Sequence, residues 1–288
     1  MSDPTPPPSS PAGLPGEYVL GTDQTELVRL GIQHRLWGDA AHALWRRANL
    51  VPGERVLDIG CGPGYAARDL AMIVGDRGRV VGIDESEAFV REYNRRSAEV
   101  LMPWAVALHG DVQALDAVLE AGGESAPFDL AYTRWVMCFV PDPEAVVQAA
   151  ARAIRPGGRW CIQDYFAYST MTLAPKDEAF TAVVQQIDRS WRDRGGDPDI
   201  VGRLPAMLER AGFRVTHLDI EHRIARPGDF MWTWPGVFWP SVLPRLVASG
   251  HITPEMRSAF ESAWARASAD PTRFCLLPPV FDLIAERV

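Results

Sequence analysis

The residues best suited to chemistry sit in one short run, VLDIGCGPG, from Val56 to Gly64. Asp58 precedes a G-x-G-x-G loop formed by Gly60, Gly62 and Gly64, with Cys61 inside it. An apolar stretch leads into the loop and a helical pattern leaves it, so the run reads as strand, tight turn, helix. Glycines at such a turn remove side chains that would block a ligand, and the next helix offers free N–H groups at its start. The spacing bears on which ligand. Dinucleotide folds use G-x-G-x-x-G and seat a pyrophosphate on the helix. Here the spacing differs, and the Asp58 carboxylate would repel a pyrophosphate. A ligand that carries positive charge tolerates that carboxylate.

Further polar groups recur where strands end. Asp84 and Glu85 follow VVGI, Asp111 and Val112 lie in HGDVQAL, and Thr133, Arg134 and Trp135 follow FDLAY. Asp164 and Tyr165 close the strand RWCIQ, at the edge where open sheets of this type place their sites. They and His251 are the candidates for a catalytic base or hydrogen-bonding group. Plain structural roles compete: Asp84, Ser86 and Asp111 suit helix caps, Arg134 a surface ion pair, and a lone histidine an ordinary hydrogen bond.

These groups need a scaffold. Short apolar strands at 55–59, 79–83, 104–108, 128–133 and 159–164 alternate with helical stretches at 65–74, 86–100 and 143–154. That alternation predicts a parallel sheet covered on both faces. Helices at 22–49, 176–194, 200–211 and 254–268, a long strand at 213–224 and a last strand at 280–287 complete the reading, with Gly31 and Gly38 as breaks in the first helix. The expected organisation is a proline-rich tail (1–16), a helical lid (17–52), a core (53–225), an aromatic cap insertion (226–272) and a final core strand (273–288).

Composition narrows the class. The 288 residues are 47% hydrophobic and 23% charged, ordinary globular values, with a formal charge of -8. Such a charge provides no counterion-release drive toward nucleic acid and no pull toward anionic lipid. The four cysteines are widely spaced with no CxxC pair, which argues against a zinc or disulfide framework. No apolar run approaches the roughly 20 residues of a membrane span, and the start is not a secretory signal. A soluble cytoplasmic protein, monomer or homodimer, without nucleic-acid or membrane partners and without a metal, is expected.

On the run from Val56 to Asp164 the sequence resembles the class I S-adenosylmethionine-dependent methyltransferases, specifically their small-molecule branch. The resemblance implies an α/β, Rossmann-like, doubly wound, mostly parallel sheet with S-adenosylmethionine on the loop from Asp58 to Gly64. It further implies that Asp84, with Glu85 beside it, grips the ribose hydroxyls, that Asp111 and Val112 flank the adenine, and that Thr133, Arg134 and Trp135 line the methionine end. The segment EYVLGTDQTELVRLGIQ is similar to the opening segment of many such enzymes, where an aromatic ring folds over the sulfonium; Tyr18, with Gln33, would take that place. The Asp/Asn/Ser-Pro-Pro-aromatic motif of base-amine methyltransferases is absent after the fourth strand, where TRWVMC stands, as is the carboxylate cluster of the metal-dependent catechol type.

The remaining signal is aromatic. Trp232, Trp234, Phe238 and Trp239 crowd the cap, either to staple it to the core or, with Trp135, to form a wall for a hydrophobic acceptor. The rival functions are a nicotinamide-dependent oxidoreductase on the same fold, a non-methylating cofactor-binding protein, and a cyclase.

Overall fold

The computed structural model describes residues 24–288, so Tyr18 and the ring expected over the sulfonium lie outside the described residues. Helix α1 (Gln24–Arg47) opens the described chain. It runs unbroken through Gly31 and Gly38. Leu36, Trp37, Ala40, Ala41, Leu44 and Trp45 are all buried along one stripe, and that burial outweighs the roughly 1 kcal/mol each glycine costs a helix.

Strands and helices then alternate: β1 (Arg55–Ile59), α2 (Tyr65–Val74), β2 (Arg79–Asp84), α3 (Glu87–Glu99), β3 (Ala105–His109), α4 (Leu115–Ala121), β4 (Phe128–Arg134), α5 (Pro143–Ala153) and β5 (Ile154–Tyr165). Beyond them follow β6 (Thr172–Ala174), α6 (Glu178–Arg192), α7 (Leu204–Arg210), β7 (Phe213–Glu221), β8 (Ile224–Ala225), α8 (Thr233–Ala248), α9 (Pro254–Ser268), β9 (Phe274–Leu276) and β10 (Val280–Arg287). The main sheet has the order β3-β2-β1-β4-β5-β10-β7. Its first five strands are parallel, and β10 enters antiparallel between β5 and β7. Val56, Leu57, Val80, Val81, Leu130 and Ile162 are completely buried, as strands covered on both faces require. This is the expected doubly wound α/β architecture.

The stretch from Phe213 to Ile224 is not one strand. β7 stops at Glu221, and β8 joins a second, three-stranded sheet of order β6-β9-β8. Arg223 anchors the corner: it donates to the Leu36 carbonyl and to Asp39, each at 3.0 Å, and lies 4.4 Å from the centre of the Trp37 ring. Strands β6 and β9 are too short for a period of two to show in sequence.

The cap also differs from its sequence pattern. MWTWPGVFWP looks like an interruption, yet α8 stays helical with Pro240 and Pro244 inside it. Interior prolines each cost a helix about 3 kcal/mol; the burial of Trp234, Trp239, Val242, Leu243 and Leu246 compensates.

Candidate functional site

The strand order reverses between β1 and β4. The chain leaves β1 toward β2 on one side, while β4 and β5 build the sheet on the other. Loops at the carboxyl ends of β1 and β4 therefore diverge and leave a crevice, the usual ligand place in an open α/β sheet. Here the crevice deepens into a cavity roofed by α1 and α8. Asp58, Gly60, Cys61, Gly62, Asp84, Glu85, Asp111, Val112 and Arg134 line one part, and Gln33, Trp135, Tyr165, Trp234 and Phe238 line another. These fourteen residues come from segments far apart in the chain, and all are among those singled out in the sequence.

The glycines divide their tasks. Gly62, at φ +53°, faces open space, so its missing side chain leaves room for a ligand. At Gly60 a Cβ would stand 2.2 Å from Val136, so this glycine instead lets the loop after β4 approach the loop after β1. Gly64 caps α2 against Tyr93, behind the cavity.

Electrostatics distinguish the first part of the cavity. Asp58 is 2% exposed, and its Oδ2 has no hydrogen-bond partner among the described residues. Burial pushes its pKa up to about 7, against the pull of the Arg134 charge. Arg134 likewise buries an Nη1 that has no partner among the described residues. A ligand with a cationic and an anionic end satisfies both groups. Asp84 accepts from the Gly62 N–H at 2.8 Å and from the Ser86 N–H at 2.9 Å, which fixes the loop after β1 and leaves lone pairs for a ligand. Burial raises the pKa of both Asp84 and Glu85. Asp111 accepts from the Gln113 N–H at 2.8 Å, so capping and lining the cavity coexist there.

The second part is aromatic. Trp135 has a left-handed backbone, φ +53°, rare for a bulky residue. Its ring stacks between Tyr165, 6.1 Å away, and Trp234, 5.9 Å away. Tyr168 meets Tyr165 edge-on at 5.1 Å. Gln33 ties the roof together: its Oε1 accepts from Arg29 and from the Trp234 indole, each at 3.0 Å.

Other expected site residues stand outside the cavity lining. Asp164 is fully buried and accepts the N–H groups of Val136 at 3.2 Å, Cys138 at 3.3 Å and Tyr165 at 2.9 Å. Burial raises its pKa to about 6, but its carboxylate is spent on holding the turn after β4. Thr133 accepts from the Trp160 indole at 2.9 Å within the core. His251 lies between Ser249, at 2.7 Å, and Asp193, at 3.1 Å. Trp232 stacks on Trp264 at 4.2 Å, and Trp239 packs on Phe260 at 4.8 Å. The aromatic cluster thus splits by helix face, with residues 234 and 238 toward the cavity.

Sequence reading missed Arg29, His34, Tyr168 and Trp191, all of which line the cavity. Glu26, Arg29 and Gln33 continue the stripe of Trp37, Ala40 and Leu44 at helical spacing, a polar signal that apolar periodicity alone passes over. Among the described residues no cluster of His, Cys, Asp and Glu is arranged to hold a metal, and no helix is long and apolar enough to cross a membrane.

Residues 56–158 match the model of a methyltransferase domain family. The 2-phytyl-1,4-naphtoquinone methyltransferase of Synechococcus elongatus is 37% identical over 131 residues, which are 46% of this chain and 53% of that protein. The chain spans about half or less of the length of the first curated relatives it matches. Among solved structures, geranyl diphosphate C-methyltransferase from Streptomyces coelicolor A3(2) has a TM-score of 0.51 at 16% identity, over 88% of this chain and 80% of that one. The cyclase SpnF has a TM-score of 0.50 at 18% identity, over 86% and 80%. These likenesses show a fold, and the fold alone does not select the reaction. Over residues 56–158 the chain is thus similar to a methyltransferase domain.

Proposed function

We propose that the protein transfers the methyl group of S-adenosylmethionine to a mainly apolar small molecule. One observation carries the reading: a single cavity changes from carboxylates and bare backbone to aromatic rings at Trp135. The cofactor, when bound, supplies a methyl group activated by its sulfonium. Asp58 and Arg134 would face its amino and carboxylate groups, Asp84 and Glu85 its ribose, and Asp111 and Val112 its adenine. Trp135, Trp234 and Phe238 would hold the acceptor and keep water out. In-line displacement gains much of its rate from such placement and dryness.

The tyrosines orient the acceptor. Tyr165 and Tyr168 line the cavity wall, and burial raises both pKa values, so each stays a neutral donor. They suit an acceptor that presents an oxygen. We place the activity in the tailoring of natural products or quinone-like metabolites, which the quinone methyltransferase relative supports.

Calorimetry with S-adenosylhomocysteine and transfer of labelled methyl to naphthols, with glycine as a polar control, test the reading. Binding and label on the naphthols are expected; no binding, or label on glycine alone, refutes it. In the same assay Asp84→Ala should weaken S-adenosylhomocysteine by roughly 10- to 150-fold, about 1.5–3 kcal/mol, through lost charge-assisted hydrogen bonds. An unchanged affinity would remove Asp84 from the cofactor site.

A further inference from the structure

We propose that His34, braced by Asp69, is a positioning residue that aims Arg134 at the carboxylate of the cofactor. The inference rests on the reading that this cavity takes S-adenosylmethionine. Arg134 Nη2 lies 3.0 Å from His34 Nδ1. A guanidinium only donates, so Nδ1 accepts and the ring proton sits on Nε2. That proton points to Asp69 Oδ2, 3.0 Å away, which also meets His42 Nε2 at 2.8 Å. The His34 ring lies nearly parallel to Tyr65, 6.1 Å away, which limits its rotation. Burial and the Arg134 charge hold its pKa below the ordinary value, while Asp69 opposes them, in keeping with a neutral acceptor ring.

The consequence lies across the cavity. Arg134 packs over the Trp135 ring at 5.0 Å and keeps Nη1 buried without a partner among the described residues. Asp58, also on the cavity wall, keeps Oδ2 without one. Opposite charges in a low-dielectric site attract strongly, yet no ion pair joins these two. A loose arginine would close on Asp58 and fill the place where a zwitterion must enter. The bond to His34 restrains Arg134, so the two charges remain apart for the amino and carboxylate groups of a ligand. His34 needs no contact with the ligand to do this.

Two ligands separate this role from a structural one. S-adenosylhomocysteine carries the amino-acid end, and 5′-methylthioadenosine lacks it. His34→Leu removes the Nδ1 acceptor, whereas His34→Asn restores an amide oxygen near its position. By calorimetry on the full chain, His34→Leu should weaken S-adenosylhomocysteine about 10-fold or more, the scale of one charge-assisted hydrogen bond. Methylthioadenosine affinity should stay unchanged, and His34→Asn should stay within about 3-fold of wild type for both ligands. Asp69→Ala, which frees the ring from behind, should show the same selectivity and serves if His34→Leu does not fold. Equal losses for both ligands, or wild-type binding of S-adenosylhomocysteine by His34→Leu, overturn the proposal. Wild-type protein that binds neither ligand overturns the methyltransferase reading as well.

Discussion

Asp58→Asn is expected to make the ligand-free protein more stable at pH 8 and to remove most of its affinity for S-adenosylhomocysteine. Asp58 is fully buried, and its pKa rises from an ordinary 3.8 to about 7 in the fold. Between those values the unfolded chain has lost the proton and the folded chain keeps it, so folding stability falls as pH rises. Above about pH 7 both states are ionised and the whole penalty of a buried charge is present. Asparagine carries no such penalty. The expected gain at pH 8 is on the order of 2–4 kcal/mol, shrinking toward pH 5. Binding reverses the sign, since the cationic amino group of the ligand requires the ionised carboxylate. Wild-type affinity should therefore fall as pH drops below about 7. Thermal melts at pH 5 and pH 8, with calorimetry at pH 8, check both halves. A variant that melts lower at pH 8, or that binds as wild type does, contradicts the role given to Asp58.

Trp239→Ala and Trp234→Ala should separate stability from acceptor binding, although the two rings lie close in sequence. Trp239 is 3% exposed and packs against Phe180, Phe260 and Trp264 at 5.7, 4.8 and 5.7 Å. Its truncation leaves a cavity between α6, α8 and α9 and should cost about 3–5 kcal/mol in denaturant unfolding. Trp234 lines the ligand cavity and hangs from Gln33 by one hydrogen bond. Losing its ring should raise the apparent KM for an apolar acceptor about 10-fold or more, the scale of about 1–3 kcal/mol of ring contact. Cofactor affinity should change little. A Trp234→Ala enzyme with unchanged KM would exclude the acceptor wall, and a Trp239→Ala protein of normal stability would exclude the packing role.

The order of β1, α2, β2, α3 and β3 was legible from local spacing. Apolar periods, glycine turns and strand-end carboxylates are short-range signals. The same holds for the loop from Asp58 to Gly64 and for Asp84 and Asp111, which stand at strand ends whatever packs above them. Boundaries and short strands were less legible: β8 left the line of β7 because Arg223 is drawn to α1, a partner distant in sequence. Only tertiary structure decided which way each aromatic ring of the cap faces, because α8 presents neighbouring residues to different surroundings. It also decided that Gly60 and Gly64 make room for Val136 and Tyr93, while Gly62 faces open space. Asp164 was placed correctly at the end of β5, but the fold buried it and engaged its oxygens with backbone N–H groups. The contact between Arg134 and His34 joins residues 100 positions apart. No local period encodes such a pairing, because it exists only once α1 has been laid across the carboxyl edge of the sheet.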